Sequence, residues 1–213
     1  MGFEDYVEIF AAPLELGIYI LSLYQIATRK GAVSWDFAAC NIISHVVLLT
    51  KCNMSAGPLW LNVLNQIYAG MSVLMVLLLL KYRDQRAYSI PICIRWPVLV
   101  SVSVALAWAI SNLSRLSPWY YFCLYADIAS IIPQGYILTK RRKQIDNLSV
   151  FLFSMWMMFH TLHAIYLTVN PAIELWTEPH LISSWAAVFV GSMPIIRFFF
   201  LRERLPSFIC QVV

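Results

Sequence analysis

Seven apolar stretches, each close to the length of a membrane-spanning helix, dominate this sequence. They cover residues 7–28, 34–51, 58–80, 91–112, 118–139, 148–169 and 179–201. About 20 residues of α-helix cross the hydrocarbon of a bilayer. Of the residues, 61% are hydrophobic and only 12% are charged, a composition that does not fit a water-soluble globular protein. The sequence therefore predicts an all-α membrane protein with seven transmembrane helices.

The connections between these stretches are too short to hold a separate soluble domain. We therefore predict a single polytopic membrane domain over residues 1–213. It consists of helices 1–3 at about 7–80, a linker helix at about 91–112, helices 5–7 at about 118–201, and a short cytosolic tail at 202–213. The acidic start MGFEDYVE is unlike a cleaved signal peptide. The five scattered cysteines at 40, 52, 93, 123 and 210 are predicted to pack as small apolar residues.

The distribution of basic residues predicts the orientation of the bundle. Of the 15 Lys and Arg residues, 13 lie in the odd-numbered loops, at their edges or in the C-terminal part, and only Lys51 and Arg115 lie on the opposite face. Basic loops stay in the cytosol, so we expect a lumenal N-terminus and a cytosolic C-terminus. The run KRRK at 140–143 fits this orientation and contact with lipid headgroups, and no nucleic-acid partner is predicted.

Matching landmarks in the two halves of the chain suggest an internal repeat. QIATRK at 25–30 resembles YILTKR at 136–141, an offset of 111 residues. Ser34 and His45 are separated by eleven residues, as are Ser149 and His160, and the offset between these pairs is 115. We interpret this as two parallel three-helix repeats joined by a linker helix, a 3+1+3 arrangement with a cavity between the halves.

Asp127 is the main candidate for a binding residue. It lies in the middle of the fifth stretch, where a charged side chain costs at least about 2.5 kcal/mol unless it faces a cavity or a partner. His45, His160 and His163 are its expected counterparts, and the last two share one helix face. The structural alternative is a buried acid that ties helices together. No Cys or carboxylate stands at ligand spacing beside the histidines, so neither a metal nor another cofactor is expected.

Pro133 and Gln134 follow Asp127 in the same stretch. Proline removes a backbone donor and clashes with the preceding turn, so a kink is expected at Pro133. Gln134 is expected to bond to the freed backbone or to line the cavity. The sequence contains no nucleophile–base pair or metal constellation of the kind that enzymes use, so no catalytic residues are predicted.

YADIASIIPQGYILTK at 125–140 resembles the fifth-helix signature of the KDEL receptor family, the ER lumen protein retaining receptors. FHTLHAIYL at 159–167 and IIRFFFLR at 195–202 resemble stretches of that family's sixth and seventh helices. The resemblance adds Tyr125 to the ligand-binding candidates and matches Asp127 to a glutamate associated with the ligand site. The chain departs from the family at His160, where the family has an arginine, and at SHVVLLT, 44–50, which lacks the family's arginine and aspartate.

The resemblance implies a receptor that binds the C-terminal peptides of cargo proteins in the Golgi lumen and returns the cargo to the endoplasmic reticulum. The implied partners are those peptides, vesicle coat machinery on the cytosolic side and the lipid bilayer. Because the arginines are missing, altered ligand specificity is expected. The SWEET and PQ-loop transporters share the architecture. The alternative function is therefore small-solute transport, coupled to protons through Asp127.

Overall fold

The computed structural model describes residues 3–28, 33–52, 59–82, 90–112, 117–140, 147–169, 182, 184–189 and 191–192. Throughout this part of the chain the regular structure is helical and no strand is present. The α-helices are α1 (Phe3–Thr28), α2 (Trp35–Lys51), α3 (Leu59–Lys81), α4 (Trp96–Ser111), α5 (Pro118–Lys140) and α6 (Asn147–Val169). A short 3-10 helix, Ile92–Ile94, precedes α4.

The apolar stretches predicted the positions of these helices closely. Five of the first six match an α-helix to within about four residues at each end. The fourth stretch is divided, because its first residues form the 3-10 helix and α4 starts only at Trp96, with a proline in its first turn. The seventh stretch lies mostly outside the described residues, but residues 184–189 and 191–192 within it are helical. The predicted tail at 202–213 lies outside them.

Two of the helices contain a segment that is long and apolar enough to cross a membrane. These segments are Asn62–Lys81 in α3 and Leu148–Ile165 in α6, while α4 is apolar but shorter. Length and composition alone carry this finding, and the core helix of a soluble protein can meet the same criterion. The all-helical fold is thus confirmed, whereas seven membrane spans remain a prediction.

The helices pack in a pattern that joins the two halves of the chain. The most extensive contacts are between α2 and α5, α4 and α5, and α1 and α6. Within the first half, α3 lies between α1 and α2 and contacts both. The largest apolar core takes side chains from α1, α2, α3, α5 and α6 and from the helical residues 184–189, including Ile18, Phe37, Tyr68, Ile131 and Phe153. The halves are therefore held together by pairing the first helix of each half with the second helix of the other.

Polar side chains accept hydrogen bonds from the backbone at the starts of α2 and α4, at one end of the bundle. Ser34 Oγ accepts hydrogen bonds from the backbone N–H groups of Asp36 and Phe37, which begin α2. The N–H of Ser34 donates to Gln134 Oε1 of α5 at 2.9 Å. Asp36 Oδ1 accepts from the N–H of Trp96, the first residue of α4, at 2.8 Å. Because helix starts leave N–H groups without partners, these contacts fix α2, α4 and α5 relative to one another.

Candidate functional site

Asp127 on α5 and His160 on α6 form a close pair inside the bundle. Asp127 Oδ2 lies 3.3 Å from His160 Nε2, and the imidazole is 3% exposed against 28% for the carboxylate. The imidazole packs against Trp156, with ring centroids 3.9 Å apart, and edge-on against Phe159. Within the described residues, His160 Nε2 has no hydrogen-bond partner, so the contact with Asp127 is close but not aligned as a hydrogen bond. The ring is held by aromatic packing, and one of its nitrogens is unpartnered.

A second pair is formed by Glu15 on α1 and His45 on α2. Glu15 Oε1 lies 3.9 Å from His45 Nε2. His45 Nδ1 is 2.8 Å from the backbone carbonyl of Asn41, and because a carbonyl can only accept, Nδ1 carries a proton. The hydroxyl of Tyr19 is 3.2 Å from His45 Nε2 and 3.0 Å from Asn41 Oδ1. Both ring nitrogens of His45 therefore have partners.

Tyr19 can respond to the protonation state of His45. Its hydroxyl has one proton, and two acceptors, His45 Nε2 and Asn41 Oδ1, lie within reach. When His45 is neutral, the hydroxyl can donate to Nε2. When His45 is protonated, Nε2 donates to the hydroxyl oxygen and Tyr19 donates to Asn41 instead. Tyr68 stacks on the Tyr19 ring at 5.4 Å and holds it in place.

The two pairs belong to one electrostatic system. Glu15 interacts most strongly with His45, and also with Asp127 and His160. We call Glu15, His45, Asp127 and His160 the central charge cluster. With neutral histidines its formal charge is −2, and protonation of both histidines brings it to zero. Glu15 and Asp127 keep 27% and 28% of their side-chain surface, whereas the histidines are buried, so the carboxylates are the more accessible members.

The structure describes each residue that the sequence predicted for the ligand site, and its role in binding stays a prediction. Asp127 and His160 form one close pair, and His45 belongs to the other with Glu15. Gln134 bonds to the start of α2 through Ser34, which is a structural contact. Tyr125 stacks on Tyr121 and packs against a second apolar cluster, which α4 and α5 form around Ala107 and Phe122.

The last two predicted residues lie on α6 and α5. His163 stacks on Phe159 at a centroid distance of 6.4 Å. Pro133 is fully buried and α5 continues through it, so the expected kink stays a prediction.

Glu15 and its neighbours Tyr19, Asn41 and Tyr68 are absent from the predicted site. The signal for Glu15 was available, because it is an acidic residue inside an apolar stretch, like Asp127. Its spacing of four residues from Tyr19 places both on one face of α1. Tyr68 carries no such signal, since tyrosines in apolar helices commonly serve as packing residues.

No group of three or more His, Cys, Asp or Glu side chains that could hold a metal ion occurs among the residues that the structure describes. Neither a protein-family model nor a curated protein matches this chain.

Proposed function

We propose that this chain is a seven-helix membrane protein of 3+1+3 architecture. The contacts of α1 with α6 and of α2 with α5 support this. In a 3+1+3 arrangement α1 corresponds to α5 and α2 corresponds to α6. The two contacts are therefore equivalent under the repeat. The acid–histidine pairs also correspond. Asp127 follows Glu15 by 112 residues and His160 follows His45 by 115, near the offsets of 111 and 115 between the repeat landmarks. Each repeat then contributes an acid from its first helix and a histidine from its second.

Within this architecture, we propose a divergent receptor for C-terminal sorting peptides in the ER and Golgi membranes, with a lumenal N-terminus. The observation that carries the proposal is the buried His160 Nε2 beside Asp127, which has no hydrogen-bond partner within the described residues, on the two helices whose sequences resemble the KDEL receptor family. An imidazole in this position can hold a peptide carboxylate only when it is protonated. The resemblance also implies that vesicle coat machinery binds the receptor on the cytosolic side.

The charge of the cluster gives the receptor its expected pH behaviour. With both histidines neutral, the two carboxylates would repel a peptide carboxylate. An incoming carboxylate stabilises the protonated imidazole, so binding takes up protons and strengthens as the pH falls. Asp127 and Glu15 would at the same time favour a basic side chain elsewhere in the peptide. A histidine-based site thus restricts capture to an acidic lumen more strongly than an arginine-based site.

The second candidate function is proton-coupled transport of a small solute by a PQ-loop-like or SWEET-like protein. The presence of one carboxylate–histidine pair in each half favours it, because such pairs are suited to exchanging protons on opposite sides of a cavity. The central charge cluster, as defined by the described residues, consists of two carboxylates and two histidines, so a solute with a positive group suits it better than an anion. Here Asp127 would be the coupling carboxylate.

One purified preparation can separate the two functions. Peptides with a free C-terminal carboxylate and their amidated counterparts are titrated at neutral and mildly acidic pH, and the same protein is assayed for solute-driven proton flux in proteoliposomes. If the protein is a receptor, we expect acid-dependent binding of the free-carboxylate peptide and no proton flux. Saturable proton-linked uptake that disappears in Asp127→Asn would instead establish the transporter and overturn the receptor.

The orientation is tested by inserted glycosylation sites. A site on a spacer after Glu174 should be glycosylated, and one between Lys143 and Asp146 should not, because the basic loop lies in the cytosol. The reverse pattern would overturn the lumenal placement of the N-terminus and, with it, the receptor proposal.

A further inference from the structure

Contacts between the helices show that α1 and α5 run toward the start of α2, whereas α6 runs away from that end. Gln134, late in α5, bonds to the start of α2. On α1, Tyr19 bonds to Asn41 and lies one turn beyond the contact of the first acid–histidine pair, so α1 is antiparallel to α2. On α6, Met155 lies against Gly17 of α1 and precedes the contact of the second pair. The two sides of the central charge cluster can therefore be compared helix by helix.

A layer of buried side chains lies one helical turn from the central charge cluster, in the direction of the start of α2. On α1 and α5 the layer residue follows the acid by four positions, and on α2 and α6 it precedes the histidine by four. Four residues of α-helix span about 6 Å. Each of these side chains is between 1% and 3% exposed, and we call them the floor: Tyr19, Asn41, Ile131 and Trp156.

The floor continues into the largest apolar core. Three of its four side chains are members of that core, and the fourth, Asn41, bonds to Tyr19. On the four helices that carry the cluster, every described residue of this core lies on the same side of the cluster as the floor. The core extends to Ile26, eleven residues beyond Glu15 on α1, or about 16 Å along the helix. An apolar layer of this thickness opposes the passage of protons and charged ligands.

The buried serines in this part of the bundle are bonded locally. Ser22, Ser72 and Ser130 are fully buried, and each hydroxyl donates to a backbone carbonyl of its own helix. Their protons are thus committed to the backbone instead of being aligned from one helix to the next.

The opposite side of the cluster is built from smaller or more exposed side chains. One helical turn away in that direction, the corresponding positions hold Ala11, Leu49, Cys123 and Ala164. Leu49 is 38% exposed, and Cys123 packs in the separate apolar cluster of α4 and α5. The two carboxylates of the cluster keep more than a quarter of their side-chain surface. Because the floor covers the cluster from the start of α2, the opposite end is the open one.

We propose that the central charge cluster has a single entrance, at the end of the bundle where α2 ends and α5 begins, and that the floor and the apolar core close the other end. Ligand and protons then enter and leave on the same side. Under the proposed orientation this side is the lumen. The identity of the compartment therefore rests on the proposed function, whereas the single entrance does not.

A single entrance determines which compartment the two histidines sense. The titratable groups around them are Glu15 and Tyr19 on α1, Tyr68 on α3 and Asp127 on α5. All of these groups would exchange protons through the same entrance. Ligand binding would therefore follow the pH of one compartment and be independent of the pH on the other side. A transporter requires the opposite behaviour, because its floor has to open in turn.

The test labels cysteines from one side of the membrane at a time. Asp127→Cys is expressed in cells, and sealed vesicles that hold all copies in one orientation are treated with a membrane-impermeant, positively charged thiosulfonate before and after the membrane is opened. Labelled peptides are mapped by mass spectrometry. Cys93 is the internal marker, because it is exposed in the 3-10 helix before α4, at the end where α2 starts. We expect only one of the two cysteines to be labelled in intact vesicles, and both in opened ones.

Ser130→Cys is the matched control, since it lies on α5 on the floor side of Asp127 and is fully buried. In opened vesicles it should react at least about tenfold more slowly than Asp127→Cys, because a buried position reacts only after local opening. Glu15→Cys and Ser22→Cys repeat the comparison on α1 if the α5 variants do not fold. Equal rates at the accessible and the buried position would show that the floor does not close the site.

The labelling needs no ligand, so its failure is distinct from that of the proposed function. Labelling of Asp127→Cys and Cys93 together in intact vesicles, or no labelling of Asp127→Cys in opened ones, would overturn the single entrance whatever the protein binds. If access is one-sided but from the cytosol, the entrance stands and the receptor function fails with its orientation. If access is one-sided from the lumen and no peptide binds, the entrance again stands and the receptor function fails.

Discussion

The two acid–histidine pairs occupy corresponding helices in the two halves, yet their histidines are held in different ways. His45 has a backbone carbonyl on one nitrogen and a tyrosine hydroxyl on the other, and its acid is 3.9 Å away. His160 has no hydrogen-bond partner on Nε2 within the described residues, packs between aromatic rings, and lies 3.3 Å from its acid. Both ring nitrogens of His45 are thus partnered, whereas within the described residues His160 Nε2 is near an acid but accepts or donates no hydrogen bond.

We infer from this difference that the two pairs have different roles. A buried polar atom without a partner costs free energy, about 1–3 kcal/mol, so a site that retains one gains when a ligand supplies the missing group. We therefore expect His160 to contact the ligand and His45 to support the fold and the charge of the cluster. The following variants test that division, beginning with the largest expected effect.

Replacing the histidines one at a time should affect different properties. His160→Gln removes the chargeable group and should weaken acid-dependent peptide binding by about 1.5–3 kcal/mol, roughly ten- to a hundredfold, with little loss of stability. His45→Gln should mainly lower the stability, because the Asn41 carbonyl and Tyr19 lose their partner. Calorimetry and thermal unfolding in detergent measure both properties.

His163→Gln is the comparison variant on the same helix, where His163 stacks on Phe159. It should leave both properties near the wild-type values. Normal binding by His160→Gln together with lost binding by a stable His45→Gln would reverse the assignment of the two pairs.

Crowding the aromatic support of His160 should disturb the second pair alone. A Cβ at Gly191 would lie 2.8 Å from the Trp156 ring, which stacks on His160, and would also meet Met157 Sδ. Gly191→Ala should therefore cost about 1–3 kcal/mol and weaken acid-dependent binding. Thermal unfolding and peptide titration of the same preparation measure these losses.

Gly70 provides the control for this crowding, because a Cβ there meets no heavy atom within 4 Å. Gly70→Ala in the interior of α3 should stabilise the protein by about 0.5–1 kcal/mol, since alanine favours the helix. A stable, normally binding Gly191→Ala would show that the Trp156 position does not control His160.

Removal of a single hydroxyl should sharpen the description of the first pair. Tyr19→Phe leaves His45 Nε2 and Asn41 Oδ1 without their shared partner and should cost about 1–2 kcal/mol in thermal unfolding. The Tyr121 hydroxyl is buried and has no hydrogen-bond partner among the described residues. Tyr121→Phe should therefore leave the stability unchanged or raise it. Equal losses in the two variants would contradict the partnering of both His45 ring nitrogens.

The sequence predicted the helices well because long apolar stretches bounded by basic loops leave few other conformations. It predicted a site around Asp127, His45 and His160 because an ionisable residue in an apolar helix faces a cavity or a partner, and in the structure each of the three has an ionisable partner. It did not find Glu15, whose importance depends on its position opposite His45 on a separate helix. Nor did it place Gln134, whose side chain caps α2 across the bundle. Contacts between distant helices depend on rotation about each helix axis, which apolar periodicity defines poorly in a helix that is apolar all round.

Proton uptake by His160 on binding of a peptide carboxylate is the central property that we propose for this site. It is tested most directly by titrating a free-carboxylate peptide into the protein at one mildly acidic pH in two buffers of different ionisation enthalpy, since the difference in heat gives the number of protons taken up. We expect net proton uptake by the wild type. The number of protons taken up should be clearly lower in His160→Arg, because the arginine charge is permanent. Binding without proton uptake in the wild type, or the same uptake in both proteins, would contradict it.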